Sequence, residues 1–132
     1  MIFRIIKKLK QLDKLIKQIE SIIYILIDGL ILILPTKKKS IFDVCIIKVD
    51  ALGDYILCLD SLYNISLKHK KKRSIFVCNQ MIYELAIKVD FFNEIYPLDI
   101  EKFKKNYIYR FLHLRKLKKI KANICLQPTY SR

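Results

Sequence analysis

Glycine and proline are scarce in this sequence, two and three residues in 132, and tryptophan is missing altogether. Neither a GxGxxG nor a GxxxxGK[ST] run occurs, so the common glycine-rich phosphate cradles are excluded. No internal repeat and no Gly/Ser-rich linker divides the chain. The cysteines, Cys45, Cys58, Cys78 and Cys125, have no CxxC spacing, and the two histidines, His69 and His113, lie far apart, which removes the usual metal-ligand patterns. Three of the cysteines sit inside apolar, strand-like runs, so the set reads as buried thiols in a reducing cytoplasm rather than as disulfides. Acidic residues are also in deficit, 12 against 26 basic ones, giving a net charge of +14. Such an excess suits an anionic partner: nucleic acid, lipid head groups or phosphorylated glycans. It also arises from AT-rich coding, which enriches Ile, Lys, Tyr and Asn at the expense of Gly, Ala, Pro and Trp.

At this length the chain has room for one domain with a real core, and not for two. Two regions of different character divide it, 1–40 and 41–132. In the first, Ile2, Ile5, Ile6, Leu9, Leu12, Ile16 and Ile19 fall on one helical stripe, with Lys7, Lys8, Lys10, Lys14 and Lys17 on the other face. From Ser21 to Pro35 the sequence is almost continuously apolar, interrupted by Asp28-Gly29. Each apolar block is too short to cross a bilayer, which takes about 20 residues, and Asp28 adds roughly 2.5–3.5 kcal/mol to insertion. The region therefore reads as a helical arm. It either lies on an anionic membrane surface, with Lys37-Lys38-Lys39 among the head groups, or packs against protein. A signal peptide fits poorly, because no small-residue cleavage site follows Leu34 and the charged stretch before it is long.

From Ile41 onward strand and helix patterns alternate. Strands are expected near 43–49, 74–78, 94–97 and 122–127, and helices near 54–69, 80–89 and 101–119, an order that predicts a parallel α/β sheet with right-handed crossovers. Ile75-Phe-Val-Cys78 and Ile124-Cys-Leu126 are apolar without alternation, as strands covered on both faces should be. His69-Lys-Lys-Lys-Lys-Arg73 reads as a solvated loop, with a nucleic-acid patch as the weaker alternative. The organising stretch is Asp43 to Leu62, a buried strand ending in Lys48-Val49-Asp50, a tight turn on Gly53, and a helix expected to open at Asp54. Ligands of open α/β folds settle beyond the carboxyl ends of such strands.

Ile46-Ile-Lys-Val-Asp-Ala-Leu-Gly-Asp54 resembles the signature of the lipopolysaccharide heptosyltransferases, glycosyltransferase family 9. Tyr83-Glu-Leu85, Val89-Asp90, Glu94-Ile-Tyr-Pro-Leu-Asp99, Ala122 to Gln127 and Tyr130-Ser-Arg132 follow in the family's order, so the resemblance covers about 43–132. One departure is Asp60, where the family usually carries proline. The resemblance implies the Rossmann-like N-terminal, acceptor-binding domain of a GT-B glycosyltransferase without its C-terminal donor-binding domain. It implies transfer of a heptose or similar sugar from a nucleotide-diphosphate donor to a lipopolysaccharide-core glycan, with no activity from this half alone. Neither metal nor cofactor is implied, and the location would be cytoplasmic, peripheral on the inner face of the inner membrane.

Read from the residues alone, Asp54 is the N-cap of the following helix ahead of a catalytic base; the resemblance reverses that order and carries the catalytic base onto Asp54. Gly53 allows close approach of a ligand or supplies a positive φ. Asp50 binds acceptor hydroxyls or is merely solvated. Gln127, Ser131 and Arg132 carry groups suited to a sugar or phosphate at the far strand end. The basic residues of 101–119 form an ordinary outer helix face or meet an anionic, lipid-linked acceptor. Two other classes compete with the enzyme: a non-catalytic module that binds anionic lipid or glycan, and a basic nucleic-acid-associated protein.

Overall fold

Val44, Cys45 and Ile46 are buried on β1 (Ser40–Lys48), the strand around which the α/β unit is assembled. The computed structural model of the chain describes residues 2–36 and 40–128. It divides into two units, Met1–Pro35 and Thr36–Arg132. The first is a single helix, α1 (Ile2–Ile33), and no helix among the described residues is long and apolar enough to cross a membrane.

The second unit is a Rossmann-like α/β fold. After β1 come α2 (Leu52–Leu57), α3 (Leu59–Lys68), β2 (Ser74–Asn79), a single turn of 3-10 helix (Gln80–Ile82) and α4 (Tyr83–Val89). β3 (Glu94–Leu98), α5 (Ile100–Lys105), α6 (Tyr107–Leu117) and β4 (Ile120–Leu126) complete it. The strands pair in the order β3-β2-β1-β4, all parallel, as the alternation of elements predicts.

The strand side chains divide the core into two clusters; on β1 the alternation slips once, where the Asp43 and Val44 N–H groups share the Arg73 carbonyl. On one face Val44, Ile46, Phe76 and Cys78 pack against Tyr55, Cys58 and Leu62 from α2 and α3 and against Ala86 from α4. The Phe76 ring sits between Tyr55 and Phe92, with centroids 6.1 and 5.0 Å away. Burial of each such large side chain stabilises the fold by about 1.5–3 kcal/mol. On the other face Phe42, Cys45, Ile75 and Val77 meet Tyr96, Leu117 and Ile120. There His113 of α6 hydrogen-bonds the Tyr96 hydroxyl at 2.7 Å and stacks on Tyr109 at 3.9 Å.

Three expectations change. The helix expected over 54–69 divides at Cys58, whose N–H bonds the Tyr55 carbonyl at 3.0 Å and tightens the chain there. The one expected over 101–119 divides at Asn106, because its side chain accepts from the Tyr109 N–H and caps a second helix. β4 is not covered on both faces: it is an edge strand, Ile124 is 38% exposed, and Cys125 is an exposed thiol rather than a buried one. Of the β4 residues only Ile120 and Ala122, at the start of the strand, pack with Leu117 of α6 against the buried cluster of Phe42, Cys45, Ile75 and Val77.

Cys125 lies opposite Cys45 in the β1–β4 register. Burial, aided by this neighbour, pushes the Cys45 thiol up to about 11, and burial pushes Cys78 up to about 12. In the unfolded chain these thiols ionise near 9.0. Their stabilisation is therefore complete below that pH and is lost as the pH climbs through the folded values. The urea midpoint should fall progressively above pH 9, and native-state iodoacetamide should label Cys125 before the buried Cys45, Cys58 and Cys78. A midpoint that rises in alkali, or equal labelling of all four thiols, would contradict this core.

Candidate active site

The strand order has one reversal. From β1 the chain builds outward through β2 to β3, with α2, α3 and α4 on one face, then returns by α5 and α6 on the other face to place β4 on the far side of β1. Between β1 and β4 the two connections leave in opposite directions, which opens a crevice beyond the carboxyl ends of those strands. Lys48, Val49 and Asp50 stand at its β1 side. Ile46 pairs with Leu126, so the next residue, Gln127, stands at its β4 side. Ser131 and Arg132 lie outside the described residues, as do Lys37 to Lys39.

Lys48 organises the β1 side. It follows Val44 and Ile46 onto the helix-covered face, and its side chain is only 1% exposed. A lone buried ammonium is untenable, so it needs a carboxylate. Its Nζ donates to Asp50 Oδ2 at 2.7 Å, and the Asp50 side chain is 46% exposed. One carboxylate oxygen is thus held from below while the group as a whole faces the crevice. Burial alone would push the Lys48 ammonium toward neutrality; the Asp50 carboxylate, helped by the neighbouring Cys58 thiol, outweighs it and holds the pKa above the ordinary lysine value. Asn79 at the end of β2 donates from Nδ2 to the Val49 carbonyl at 3.3 Å and steadies the same turn.

Asp54 and Gly53 fall elsewhere in the turn than expected. The helix opens at Leu52, with Ala51 at the N-cap and no side-chain cap bond. Asp54 is the third helical residue, so it is not the N-cap; it helps the helix only through the field at its first turn. The residue is half-buried, and its carboxylate has no hydrogen-bond or salt-bridge partner among the described residues. Nor does Gly53 take a positive φ: Asp90 alone does so among the described residues. A Cβ added to Gly53 would meet nothing within 4 Å. Neither backbone conformation nor packing requires glycine here, although glycine in a helix costs roughly 0.5–1 kcal/mol relative to alanine.

A separate cavity of about 550 Å³ lies elsewhere, by the amino end of β2. Tyr63, Phe91 and Phe92 line it, with Lys70 and Lys72 from the basic loop and His69, whose buried Nδ1 has no hydrogen-bond partner among the described residues. It includes no residue of the β1–α2 turn, and Asp90 is the one carboxylate among the residues that line it. Arg73, the last residue of that loop, is structural: it pairs with Glu94 at 2.6 Å and lies 4.6 Å over the Phe42 ring. Lys102 and Lys105 of α5 are likewise paired, with Asp99 and Glu101. Among the described residues no group of three His, Cys, Asp or Glu is placed to hold a metal.

Comparison of the chain with protein-family models, with curated proteins and with solved structures finds no match.

Sequence reasoning assigned Asp50 and Gln127 to the strand ends where they stand, put Gly53 in the turn rather than inside α2, and missed Lys48 and Asn79. A lysine two residues beyond Ile46 and four beyond Val44, on the same strand face, was the available signal. Gly53→Ala should raise the unfolding free energy by about 0.5–1 kcal/mol. Asp50→Asn should lower it by about 1–3 kcal/mol, because the buried ammonium loses its charged partner. Urea denaturation measures both; a destabilised Gly53→Ala protein or a neutral Asp50→Asn would refute this account of the turn.

Proposed function

We propose that residues 41–132 form the acceptor-binding domain of a GT-B glycosyltransferase of the heptosyltransferase type. The reaction moves a heptose or similar sugar from a nucleotide-diphosphate donor onto a lipopolysaccharide-core or related anionic glycan. One observation carries this reading: the residues that bear the family resemblance, Ile46 to Asp54, coincide with the turn at the switch point, where Lys48 fixes the Asp50 carboxylate. The unfilled space above Gly53 supports it, since a sugar ring can approach the backbone there.

In this mechanism Asp50 accepts hydrogen bonds from acceptor hydroxyls and sets their orientation. Asp54, without a partner of its own, accepts the proton of the attacking hydroxyl as that oxygen bonds to the anomeric carbon and the nucleoside diphosphate departs. Gln127 borders the same space and supplies a further donor and acceptor. The donor is held by the second domain of the GT-B fold, which residues 41–132 do not include.

Mixed with a separately produced donor-binding domain of the heptosyltransferase type, the chain should transfer heptose from a nucleotide-diphosphate donor to a lipopolysaccharide-core oligosaccharide. Asp54→Asn should lower that rate by about 10²–10⁴-fold with little change in acceptor affinity, whereas Asp50→Asn should act mainly on affinity. Full activity in Asp54→Asn would remove the base. Acceptor binding with no transfer in any reconstitution would favour a non-catalytic glycan-binding module.

A further inference from the structure

The first unit contains one helix and nothing else, so it holds no second element to bury an apolar stripe. That stripe is unbroken. Leu or Ile stands at each of positions 9, 12, 16, 19, 23, 26, 30 and 33, with Ile2 and Ile5 continuing the same alternation of three and four. This is the a/d pattern of a coiled coil, and it spans the whole helix, Ile2–Ile33. The structure leaves the seam open: Leu9, Leu12, Ile16 and Ile19 are 59, 57, 46 and 56% exposed. A regular helix this long is itself characteristic of coiled coils or membrane spans, and no span is present among the described residues.

We propose that α1 is an oligomerisation helix whose partner is α1 of further copies of this chain, packed parallel and in register. Charge decides in favour of a second copy and fixes the direction. With Leu9 and Leu12 at a and d, Lys8 occupies a g position and Asp13 the following e position. In a parallel pair these face each other across the seam, Lys8 of one copy against Asp13 of the next. Both are exposed, and neither has a partner within the chain among the described residues. Lys7 and Lys14 take the outermost f positions, so the basic face remains in water as the seam closes. Isoleucine and leucine share both seam positions, and Ile6, Leu15, Ile22 and Ile27 at e and g widen the seam, a composition suited to more than two strands.

The test is sedimentation equilibrium of the full chain at tens of micromolar. The wild type should show a multiple of the 15.8 kDa chain mass, and the d-position pair Leu12→Asp/Ile19→Asp should return it to a single chain. Lys14→Asp, away from the seam, should leave the assembly intact. Lys8→Asp and Asp13→Lys should each weaken association about two- to fivefold, and the combined exchange should restore it. Circular dichroism of the α/β unit separates loss of association from loss of folding. A monomeric wild type, a combined exchange that fails to restore association, or capture of single chains by phosphatidylglycerol vesicles would overturn the proposal.

Discussion

A lysine buried at the carboxyl end of the central strand sets the constraint on which the crevice depends. Lys48 stays charged because Asp50 lies two residues on, across the end of β1, and the pairing fixes where the chain turns. Val49 is then positioned for Asn79 to hold its carbonyl, and α2 starts from Leu52. A buried ion pair of this kind adds little net stability, since desolvation offsets most of the attraction. Its effect is positional: it fixes a half-exposed carboxylate at the point where ligands of this fold class bind.

The sheet around that point is unevenly covered. Phe76, Tyr55, Phe92 and Leu62 make one face a continuous aromatic and aliphatic core, while the opposite face depends on fewer contacts from α6. β4, which forms the other wall of the crevice, is the least buried strand, with Ile124 and Cys125 exposed. One wall of the crevice is therefore rigid and the other is an edge. Local opening in such a fold starts from edges with few buried contacts.

Much of the architecture was legible from residue order. The apolar run Ile75 to Cys78 and the helical spacing of Ile56, Leu59 and Leu62 are local signals, and the parallel sheet follows from their alternation. What the sequence hid depends on tertiary or single-residue competition. Asn106 is unremarkable in a basic helical stretch until its side chain captures the Tyr109 N–H. Ile124 and Cys125 look like core residues, and only the strand order reveals them as edge residues. The crevice was half legible: Asp50 and Gln127 declared themselves at strand ends, whereas Gly53 lies inside α2 rather than in the turn before it. Lys48 showed in the sequence only as a residue at the end of the strand, because its burial depends on Asp50 meeting it across the turn.

The central claim is that the β1–β4 crevice takes a polyhydroxylated ligand through the carboxylates of Asp50 and Asp54. Amide chemical-shift mapping of the isotopically labelled chain during titration with a lipopolysaccharide-core oligosaccharide tests it most directly. The account predicts saturable shifts confined to the amides of 49–54, Asn79 and Gln127, reduced by Asp50→Asn. Shifts centred instead on Tyr63, Phe91 and Lys70 around the separate cavity, or no saturable shift at all, would contradict it.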